Sequence, residues 1–518
     1  MLLNTKKMGL NIVSYKPGAG KLKIGDTWQL SDGEKVHSFY LQCIDNEYFD
    51  DDESGAIGHA VSDDLIHWTE LSPALKRGEK GSYDALDLWS GCAVEHNGKY
   101  YLYYSSRRDT DHLGNTISVA VSDDCVNWTK YENNPVIVPD KRFYCQDDIK
   151  TILTIEEHPK KNNAECRDLC VVKDEEKGLW WGFFAARKPA NECSNTCCIG
   201  LAKSYDLLHW EQLPPCFCPD KYDCVETPDV FKIGDKWYML CLTGNQYGQR
   251  NPTYDPNLFG NITLYAMADR PEGPYTECFE DNVAIGSMYM SGACAKTVLH
   301  KGKRYIFYTQ SQWHEGRNIE NTMSYPKEID ADENGKLRVK WFTGIESLYK
   351  EDVSLCESNT YNSGKWGSLN EWHFEDDKVS VNAKSDMAVK IFDVKAKNFV
   401  IETTVQRKDA VSAGVIFDVI SDELYSLNRV VLLDYLKNEV WLTSARNYPK
   451  INARRFDFEK DSYDLKVLVI GKTIEVYVDD VLTVHYITER YRGRIGLFVE
   501  RGEACFTNSA VRIIADEG

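Results

Sequence analysis

Three carboxylates stand at similar distances before a turn that recurs along the chain. Asp26, Asp168 and Glu226 come 7, 10 and 8 residues before the glycine of such a turn. The shared offset predicts that the three acids occupy the same layer of three related structural units. Carboxylates crowded in a partly desolvated site raise one another's pKa, so one can hold a proton while another stays ionised. Cleavage of a glycosidic bond uses this combination of an acid and an ionised carboxylate.

The units that carry these acids show two interleaved repeats. In the first, a charged turn with a central glycine leads into an aromatic strand. Its five copies are centred on Gly33, Gly98, Gly178, Gly234 and Gly302. In the second, a Ser-Asp turn follows a short apolar strand and ends in tryptophan, at residues 62–68, 122–128 and 204–210, with a looser relative at 268–275. Five copies of the first repeat indicate five units.

The spacing of these repeats predicts an all-β fold. Units of about 55 to 80 residues, each with about four strands and turn residues between them, are typical of β-propeller blades. No 3.6-residue periodicity runs through them, which excludes a helical solenoid. We therefore expect a five-bladed β-propeller in which the innermost strands bring the three acids to the central axis. The repeated aromatic residues are expected to pack between blades.

The repeats end near residue 340 and a different pattern follows. Residues 346–368 are polar and rich in Ser, Asn and Gly, which is typical of a connection. Short alternating strands come next, as in a β-sandwich. We therefore predict a propeller domain at 1–345, a linker at 346–368 and a C-terminal β-sandwich at 369–518. Since no aromatic cluster breaks the alternation, the sandwich is expected to brace the propeller rather than bind polysaccharide.

Composition limits the partners of this chain of 518 residues. The formal charge of −19, with no basic stripe, argues against nucleic acid. No apolar segment is long enough for a secretory signal or a membrane helix, so we expect no membrane partner and a cytoplasmic location. The 17 cysteines fit reduced thiols better than a disulfide framework. A cluster at Cys193–Cys224 suggests zinc, but it lacks a C-x2-C pair, and we predict neither metal nor cofactor.

At the level of motifs the chain resembles glycoside hydrolase family 32, the β-fructosidases. The similarity rests on Gly25-Asp26, on the stretch from Gly58 to Trp68, on Leu88-Trp89-Ser90-Gly91, on Arg167-Asp168, and on Glu226-Thr227-Pro228-Asp229. It extends over essentially the whole length, including the trailing sandwich.

This resemblance implies a retaining glycosidase acting on terminal β-fructofuranosyl residues of sucrose or short fructo-oligosaccharides. Asp26 would be the nucleophile and Glu226 the general acid and base. Asp168 would stabilise the transition state by binding sugar hydroxyls, with Arg167 beside it.

Further residues are expected to line the sugar site by the same resemblance. These substrate-binding candidates are Trp28, as a stacking platform, together with Trp89, Ser90 and Gln42. The chain departs from the usual motifs at Thr27, Leu41, Ile57 and Leu169, and Gln42 stands one place out of phase. Because these changes fall around the sugar site, the resemblance leaves the linkage and the sugar open.

Two alternatives stay open at this stage. Glycoside hydrolase family 43, with α-arabinofuranosidases and β-xylosidases, shares the five-bladed fold and three acids but inverts configuration. A non-catalytic sugar-binding propeller would keep the trio only as hydrogen-bond acceptors. The oligomeric state is not readable from the sequence.

Overall fold

The computed structural model describes most of the chain in a set of separate segments. The described residues are 15–18, 22–43, 55–108, 115–145, 165–189, 197–220, 222, 224–244, 261–288, 291–314, 317–361, 370–421, 428–445, 450–488, 490 and 492–514. Contacts between Cα atoms divide the chain into two compact units, with the main boundary between Arg338 and Val339.

The first unit contains five groups of antiparallel strands, of which the first four are separate small sheets. Blade 1 contains β1 (Lys23–Ser31), β2 (Val36–Cys43), β3 (Ala56–Ser62), β4 (Thr69–Glu70) and β5 (Leu75–Lys76). Blade 2 contains β6 (Asp87–His96), β7 (Lys99–Arg107), β8 (Thr116–Ser122) and β9 (Thr129–Lys130). Blade 3 contains β10 (Cys166–Asp174), β11 (Leu179–Arg187), β12 (Cys197–Ser204) and β13 (Glu211–Phe217).

Two further blades complete the ring. Blade 4 contains β14 (Glu226–Ile233), β15 (Lys236–Gly244), β16 (Asn261–Ala268) and β17 (Val283–Ile285). Blade 5 contains β18 (Ser291–His300), β19 (Lys303–His314), β20 (Arg317–Met323) and β21 (Lys327–Ala331), and β22 (Leu337–Lys340) follows. The first strands of successive blades are neighbours, and β1 contacts β18, so the first blade closes against the fifth. This arrangement confirms the predicted five-bladed propeller.

The marker glycines of the first repeat all lie in the turn between the first and second strand of a blade. Their φ angles are positive: 97° at Gly33, 74° at Gly98, 62° at Gly178, 56° at Gly234 and 81° at Gly302. Only glycine adopts this left-handed region at no steric cost, which explains why the residue recurs in each copy.

The aromatic residue that ends the second repeat packs on the aromatic strand of the preceding blade. Four edge-to-face pairs join blades in this way, with ring centroids 5.6–6.1 Å apart: Trp68 with Phe307, Trp128 with Phe39, Trp210 with Tyr103, and Tyr275 with Phe183. Edge-to-face rings at this distance stabilise by about 1 kcal/mol beyond the area they bury. The predicted packing of these rings between blades is therefore confirmed, and it fixes the angular position of each innermost strand.

The second unit folds as a β-sandwich built on two long strands. Its strands are β23 (Tyr349–Ser354), β24 (Trp372–Glu375), β25 (Lys378–Lys395), β26 (Asn398–Arg407), β27 (Ser412–Val419), β28 (Arg429–Asp434), β29 (Glu439–Thr443), β30 (Asn452–Arg455), β31 (Ser462–Ile470), β32 (Thr473–Val478), β33 (Val481–Ile487) and β34 (Arg494–Ile514). Short 3-10 helices lie at Thr343–Leu348 and Glu357–Asn359. The strand β34 pairs with β23, β25, β26 and β27. Alternating Val, Ile, Leu and Phe residues from these strands form one core.

The described residues contain no helix that combines the length and the apolar character needed to cross a membrane.

Candidate active site

All five innermost strands of the propeller carry a β-bulge at a similar level. The register between first and second strand shifts between Ile24 and Thr27, Trp89 and Gly91, Arg167 and Cys170, Glu226 and Asp229, and Ala293 and Lys296. Asp26, Ser90 and Asp168 lie inside these shifts, and Glu226 begins one. A bulge bends its strand and re-aims a side chain. The same irregularity, repeated around the ring, therefore gives each strand one residue that departs from the blade's alternation.

Three of these bulges contain a non-glycine residue in the left-handed region. The φ angles are 62° at Asp168, 50° at Thr227 and 50° at Cys294. Each such residue costs about 1 kcal/mol or more and persists only where the surrounding structure enforces it. Regular strand pairing resumes after each bulge, as between Cys170 and Phe183, and holds the backbone of the bulge in this conformation.

Asp26 is joined to blades 2 and 3 by a chain of hydrogen bonds. The Ser90 hydroxyl donates to Oδ2 of Asp26. The Ser90 carbonyl accepts a hydrogen bond from Ser105 Oγ at 2.8 Å, and Ser105 Oγ accepts the backbone N–H of Asp168 at 2.8 Å. Blade 2 therefore holds the nucleophile candidate and the backbone of Asp168 through one pair of serines.

Arg167 binds the other two carboxylates. Its NH2 lies 2.6 Å from Oε2 of Glu226, and its Nε lies 3.4 Å from Oδ2 of Asp168. The backbone N–H of Thr227 also donates to Oδ2 of Asp168, at 3.1 Å. Blades 3 and 4 are thus connected at the level of the acids, and the orientation of Glu226 is set by a charge-assisted hydrogen bond.

The electrostatics of the group favour protonation of two acids. Burial raises the pKa of Asp26 to about 6, with the Glu226 charge adding to it, while the Ser90 hydrogen bond and the charges of Lys296 and Arg167 oppose the rise. Burial also raises the pKa of Asp168, opposed by Arg167 and reinforced by Glu226 and Asp26. The mutual effects show that the three carboxylates share one electrostatic site, as the offsets predict.

Several residues that the sequence analysis does not single out complete this site. Glu165 accepts a hydrogen bond from Arg187 at 2.9 Å and lies 3.4 Å from Arg167 NH1. Lys296, 2% exposed, donates to the Pro228 carbonyl. A signal for Lys296 exists, since it precedes the fifth marker glycine by 6 residues. Glu165 and Arg187 belong to no repeat and show no comparable signal.

The predicted substrate-binding residues occupy different positions. Ser90 contacts Asp26, and Arg167 contacts Glu226 and Asp168. Trp89, next to Ser90, is half-buried with the Arg107 guanidinium over its ring at 5.4 Å. Gln42 is partly exposed in β2, opposite Ile24 of β1.

Trp28 lies within the fold rather than at an open surface. It is 1% exposed and stacks on Phe39 with ring centroids 6.4 Å apart. It also lines a cavity of about 340 Å³, with Lys296 and Asp229, whose walls do not include the three candidate acids. The role of Trp28 as a stacking platform for the sugar stays a prediction.

The arrangement supplies the groups for acid–base and nucleophilic chemistry. The raised pKa values belong to the nucleophile candidate Asp26 and to Asp168, while the acid–base candidate Glu226 is bound by Arg167. Proton donation by one carboxyl and attack by another are both open to such a group. Among the described residues no three His, Cys, Asp or Glu side chains are grouped so that they would hold a metal ion.

One protein-family model matches more than half of the chain. The model of the glycosyl hydrolases family 32 N-terminal domain matches residues 31–341. This match spans Asp168 and Glu226 and begins five residues after Asp26. The assignment of Asp26 to the candidate site therefore rests on its hydrogen bond to Ser90.

Relatives of known activity have low sequence identity. The chain is 25% identical to sucrose-6-phosphate hydrolase of Escherichia coli in an alignment of 354 positions, which covers 63% of this chain and 64% of that enzyme. It is 22% identical over 499 residues to the levanbiose-producing levanase of Bacillus subtilis, with 92% of this chain and 86% of the levanase covered. The chain thus spans just under two thirds of the length of the Escherichia coli enzyme.

A solved structure supports the fold assignment. Fructan 1-exohydrolase IIa of Cichorium intybus, in complex with 1-kestose, superposes with a TM-score of 0.70 and 14% identity over 97% of each chain. On the basis of the family match over more than half of its length, the chain belongs to the glycosyl hydrolases of family 32.

Proposed function

We propose that the protein is a retaining β-fructofuranosidase that releases terminal fructose from sucrose or short fructo-oligosaccharides. The observation that carries the proposal is the electrostatic coupling of Asp26, Asp168 and Glu226 at the bulges of three innermost strands. A site with an acid and a nucleophilic carboxylate in one desolvated group is what double-displacement hydrolysis needs.

The proposed mechanism assigns one step to each carboxylate. A carboxylate oxygen of Asp26 attacks the anomeric carbon of the fructosyl residue, while Glu226 gives its proton to the departing glycosidic oxygen. Water, deprotonated by Glu226, then attacks the same carbon and displaces Asp26. Asp168 accepts hydrogen bonds from sugar hydroxyls, which strengthen in the transition state.

Arg167 has a defined part in this cycle. Its guanidinium holds Glu226 and contacts Asp168, so it positions the acid–base group relative to the stabilising carboxylate. Protonation of Glu226 weakens its bond to the arginine, because the attraction to the carboxylate charge is lost. The strength of the bond between Arg167 and Glu226 therefore depends on whether Glu226 is protonated, and so does the position of the Glu226 side chain.

The choice of sugar is supported by the relatives. One hydrolyses sucrose 6-phosphate and another is a levanase, according to their names, and a third binds 1-kestose. Because Thr27, Leu41, Ile57 and Leu169 depart from the usual motifs near the site, we propose only the fructosyl residue and a short substrate, and leave the linkage to experiment.

A substrate panel tests the activity. The purified chain is incubated with sucrose, sucrose 6-phosphate, a short inulin-type oligomer, a short levan-type oligomer and an aryl arabinofuranoside. Proton NMR in the first minutes reports the anomer released. We expect the β-anomer of fructofuranose to appear before mutarotation. Initial release of the α-anomer would remove the nucleophile role from Asp26, and cleavage of the arabinofuranoside alone would favour a family 43 type of activity.

A single substitution separates an enzyme from a sugar-binding protein. Glu226→Gln keeps the shape of the side chain but removes the transferable proton, so turnover should fall by about 10²–10⁴-fold while calorimetric binding of the oligosaccharide persists. Glu211→Gln is the matched control, since Glu211 is 62% exposed on β13 and pairs with Lys203. The control should keep full turnover. Equal turnover in both variants would exclude Glu226 from the mechanism.

We also propose a cytoplasmic location. Most of the cysteines within the described residues are buried, and their odd total of 17 suits reduced thiols in a reducing compartment better than a disulfide framework. Activity found in the soluble fraction of lysed cells, and absent from the medium, is the expected result.

A further inference from the structure

The cysteine cluster of blade 3 contains one pair of thiols that face each other. Cys197 donates to the Tyr222 carbonyl at 2.8 Å, and Cys216 donates to the Ile199 carbonyl at 3.5 Å. Cys198 and Cys218 pack in the same cluster of buried side chains, and each of the two thiols alters the pKa of the other.

Strand pairing gives this pair the geometry of a disulfide. In β12 and β13, which run antiparallel, Ile199 lies opposite Phe217. Cys198 precedes Ile199 and Cys218 follows Phe217, where β13 ends, so the two cysteines flank this pair on the same side. Opposed residues in antiparallel sheets have Cα atoms about 4.5–5.5 Å apart, and disulfides need about 4.4–6.8 Å. A bond between these sulfurs therefore requires no large movement of the backbone.

The surroundings make the two thiols unequal. Cys198 is buried and Cys218 is partly exposed. The hydrogen bond from Cys198 and the charge of Lys188 lower the pKa of Cys218 to about 7, against burial and the charge of Asp220. Asp220 binds Lys188 Nζ at 2.8 Å, which keeps the cation beside the sulfur. Burial raises the pKa of Cys198. Cys218 is thus suited to attack an oxidant as a thiolate, and Cys198 is suited to close the disulfide in a second step.

We propose that Cys198 and Cys218 form a redox-reactive dithiol that hydroperoxides oxidise to a cross-strand disulfide. The Cys218 thiolate attacks the terminal peroxide oxygen, so an S–O bond forms, the O–O bond breaks, and the alkoxide takes up a proton and leaves as alcohol or water. The Cys198 sulfur then attacks Cys218, an S–S bond forms, and hydroxide leaves with the Cys198 proton as water. The two thiols supply the two electrons that the peroxide accepts, and a dithiol reductant reverses the reaction.

This reaction would act on the outer half of one blade. The disulfide would covalently link the third and fourth strands of blade 3. Cys198 also lies opposite Ala186 of β11, which pairs with Cys166 beside Arg167. The dithiol is therefore connected to the arginine of the candidate site through two strand pairings, and it depends on the fold but not on the proposed substrate.

Alkylation kinetics test the reactivity of Cys218. Iodoacetamide labelling of the whole protein, followed by peptide mass spectrometry, gives a rate for Cys218 and for the exposed Cys278 at each pH. A thiol with pKa about 7 is about 16-fold more ionised at pH 7 than an ordinary thiol of pKa about 8.5, while its lower nucleophilicity costs about fivefold. Relative to a small-molecule thiol of pKa about 8.5 that is labelled under the same conditions, we expect Cys218 to react about threefold faster at pH 7 and more slowly at pH 9. The Cys218 rate should reach half its plateau near pH 7. A midpoint equal to that of the small-molecule thiol would overturn the proposal.

Peroxide treatment tests the disulfide. With a small excess of hydrogen peroxide, the wild-type protein should lose two hydrogens and yield a linked Cys198–Cys218 peptide that dithiothreitol releases. Cys198→Ser should instead accumulate a Cys218 sulfenic acid that dimedone traps, and Cys278→Ser should behave as wild type. Free Cys198 and Cys218 after treatment, or a linkage to another cysteine, would refute the pairing. Because the wild-type measurement stands alone, misfolding of a variant would not decide the outcome.

Discussion

Replacing Asp26 by asparagine removes a charge that is costly in the folded protein. Burial raises the pKa of this carboxyl from 3.8 to about 6. Asparagine keeps an oxygen that can accept the Ser90 hydroxyl, so the change removes charge with little change of shape. We expect the variant to be inactive and more stable than the wild type at neutral pH.

The size of this effect follows from the pKa difference. The folded state holds the proton more tightly than the unfolded chain, so below about pH 4 both states are protonated and the carboxyl costs nothing. Between about pH 4 and 6 the unfolded chain ionises first, and the cost grows. Above pH 6 it is constant at about 3 kcal/mol, from roughly two pKa units at about 1.4 kcal/mol each.

Thermal unfolding from pH 4 to pH 8 measures this difference. For a propeller unit of roughly 300 residues, about 3 kcal/mol corresponds to a rise in Tm of about 5 °C. The difference in Tm between Asp26→Asn and wild type should be absent at pH 4 and should reach its full size near pH 7.

Asp32→Asn is the matched control in the same blade. Hydrogen bonds from the Lys35 and Glu34 amides outweigh burial and lower the pKa of Asp32. Its substitution should therefore reduce stability at pH 7. A gap for Asp26→Asn that does not change with pH, or that has the same sign as the control, would refute the electrostatic reasoning.

Three other substitutions probe the groups around the acids. Ser90→Ala removes a hydrogen bond that lowers the pKa of Asp26. The acidic limb of the pH profile of kcat/KM, expected near pH 6, should therefore move up by about half to one pH unit. An acidic limb that stays in place would mean that this bond does not affect the pKa of Asp26. Glu165→Gln loosens Arg167 and should lower kcat/KM by about 10–100-fold, and it should also lower Tm because Arg167 and Arg187 lose a buried charged partner. A loss confined to Tm would make Glu165 purely structural. Gly91→Ala places a Cβ 2.0 Å from the Tyr103 carbonyl oxygen, so it should lower the free energy of unfolding by about 2 kcal/mol or more, measured by urea denaturation; a neutral result would mean that the bulge has room to relax.

The sequence predicts the propeller because its signals are local and repeated. The first turn of each blade requires a positive φ, which selects glycine at that position. The ring that packs on the preceding blade selects an aromatic residue at the end of the second repeat. The carboxylates can be picked out for the same reason, since equivalent positions in the blades give similar offsets from the glycine. Ser90, which precedes Gly98 by 8 residues, obeys the same rule.

Other features depend on contacts between distant residues and have no such signature. The burial of Trp28 follows from its packing on Phe39 in the neighbouring strand, while its position beside Asp26 suggests exposure. The Glu165–Arg187 pair forms only when β10 and β11 align. The bulges cannot be located from composition either, because bulged and regular positions accept similar residues, as Thr227 and Cys294 illustrate.

The repeated bulges bear on how such a site can change its substrate. Each bulge confines the irregular backbone to a few residues of one strand, and regular pairing resumes directly after it. The edge-to-face rings that join neighbouring blades lie outside the bulges, so a substitution inside a bulge leaves these aromatic contacts in place. Side chains around the candidate acids can then be exchanged one blade at a time where the bulge has room for them, which would let Thr27 and Leu169 diverge while the acids beside them stay in position. The ring thus separates the evolution of specificity from the maintenance of its scaffold.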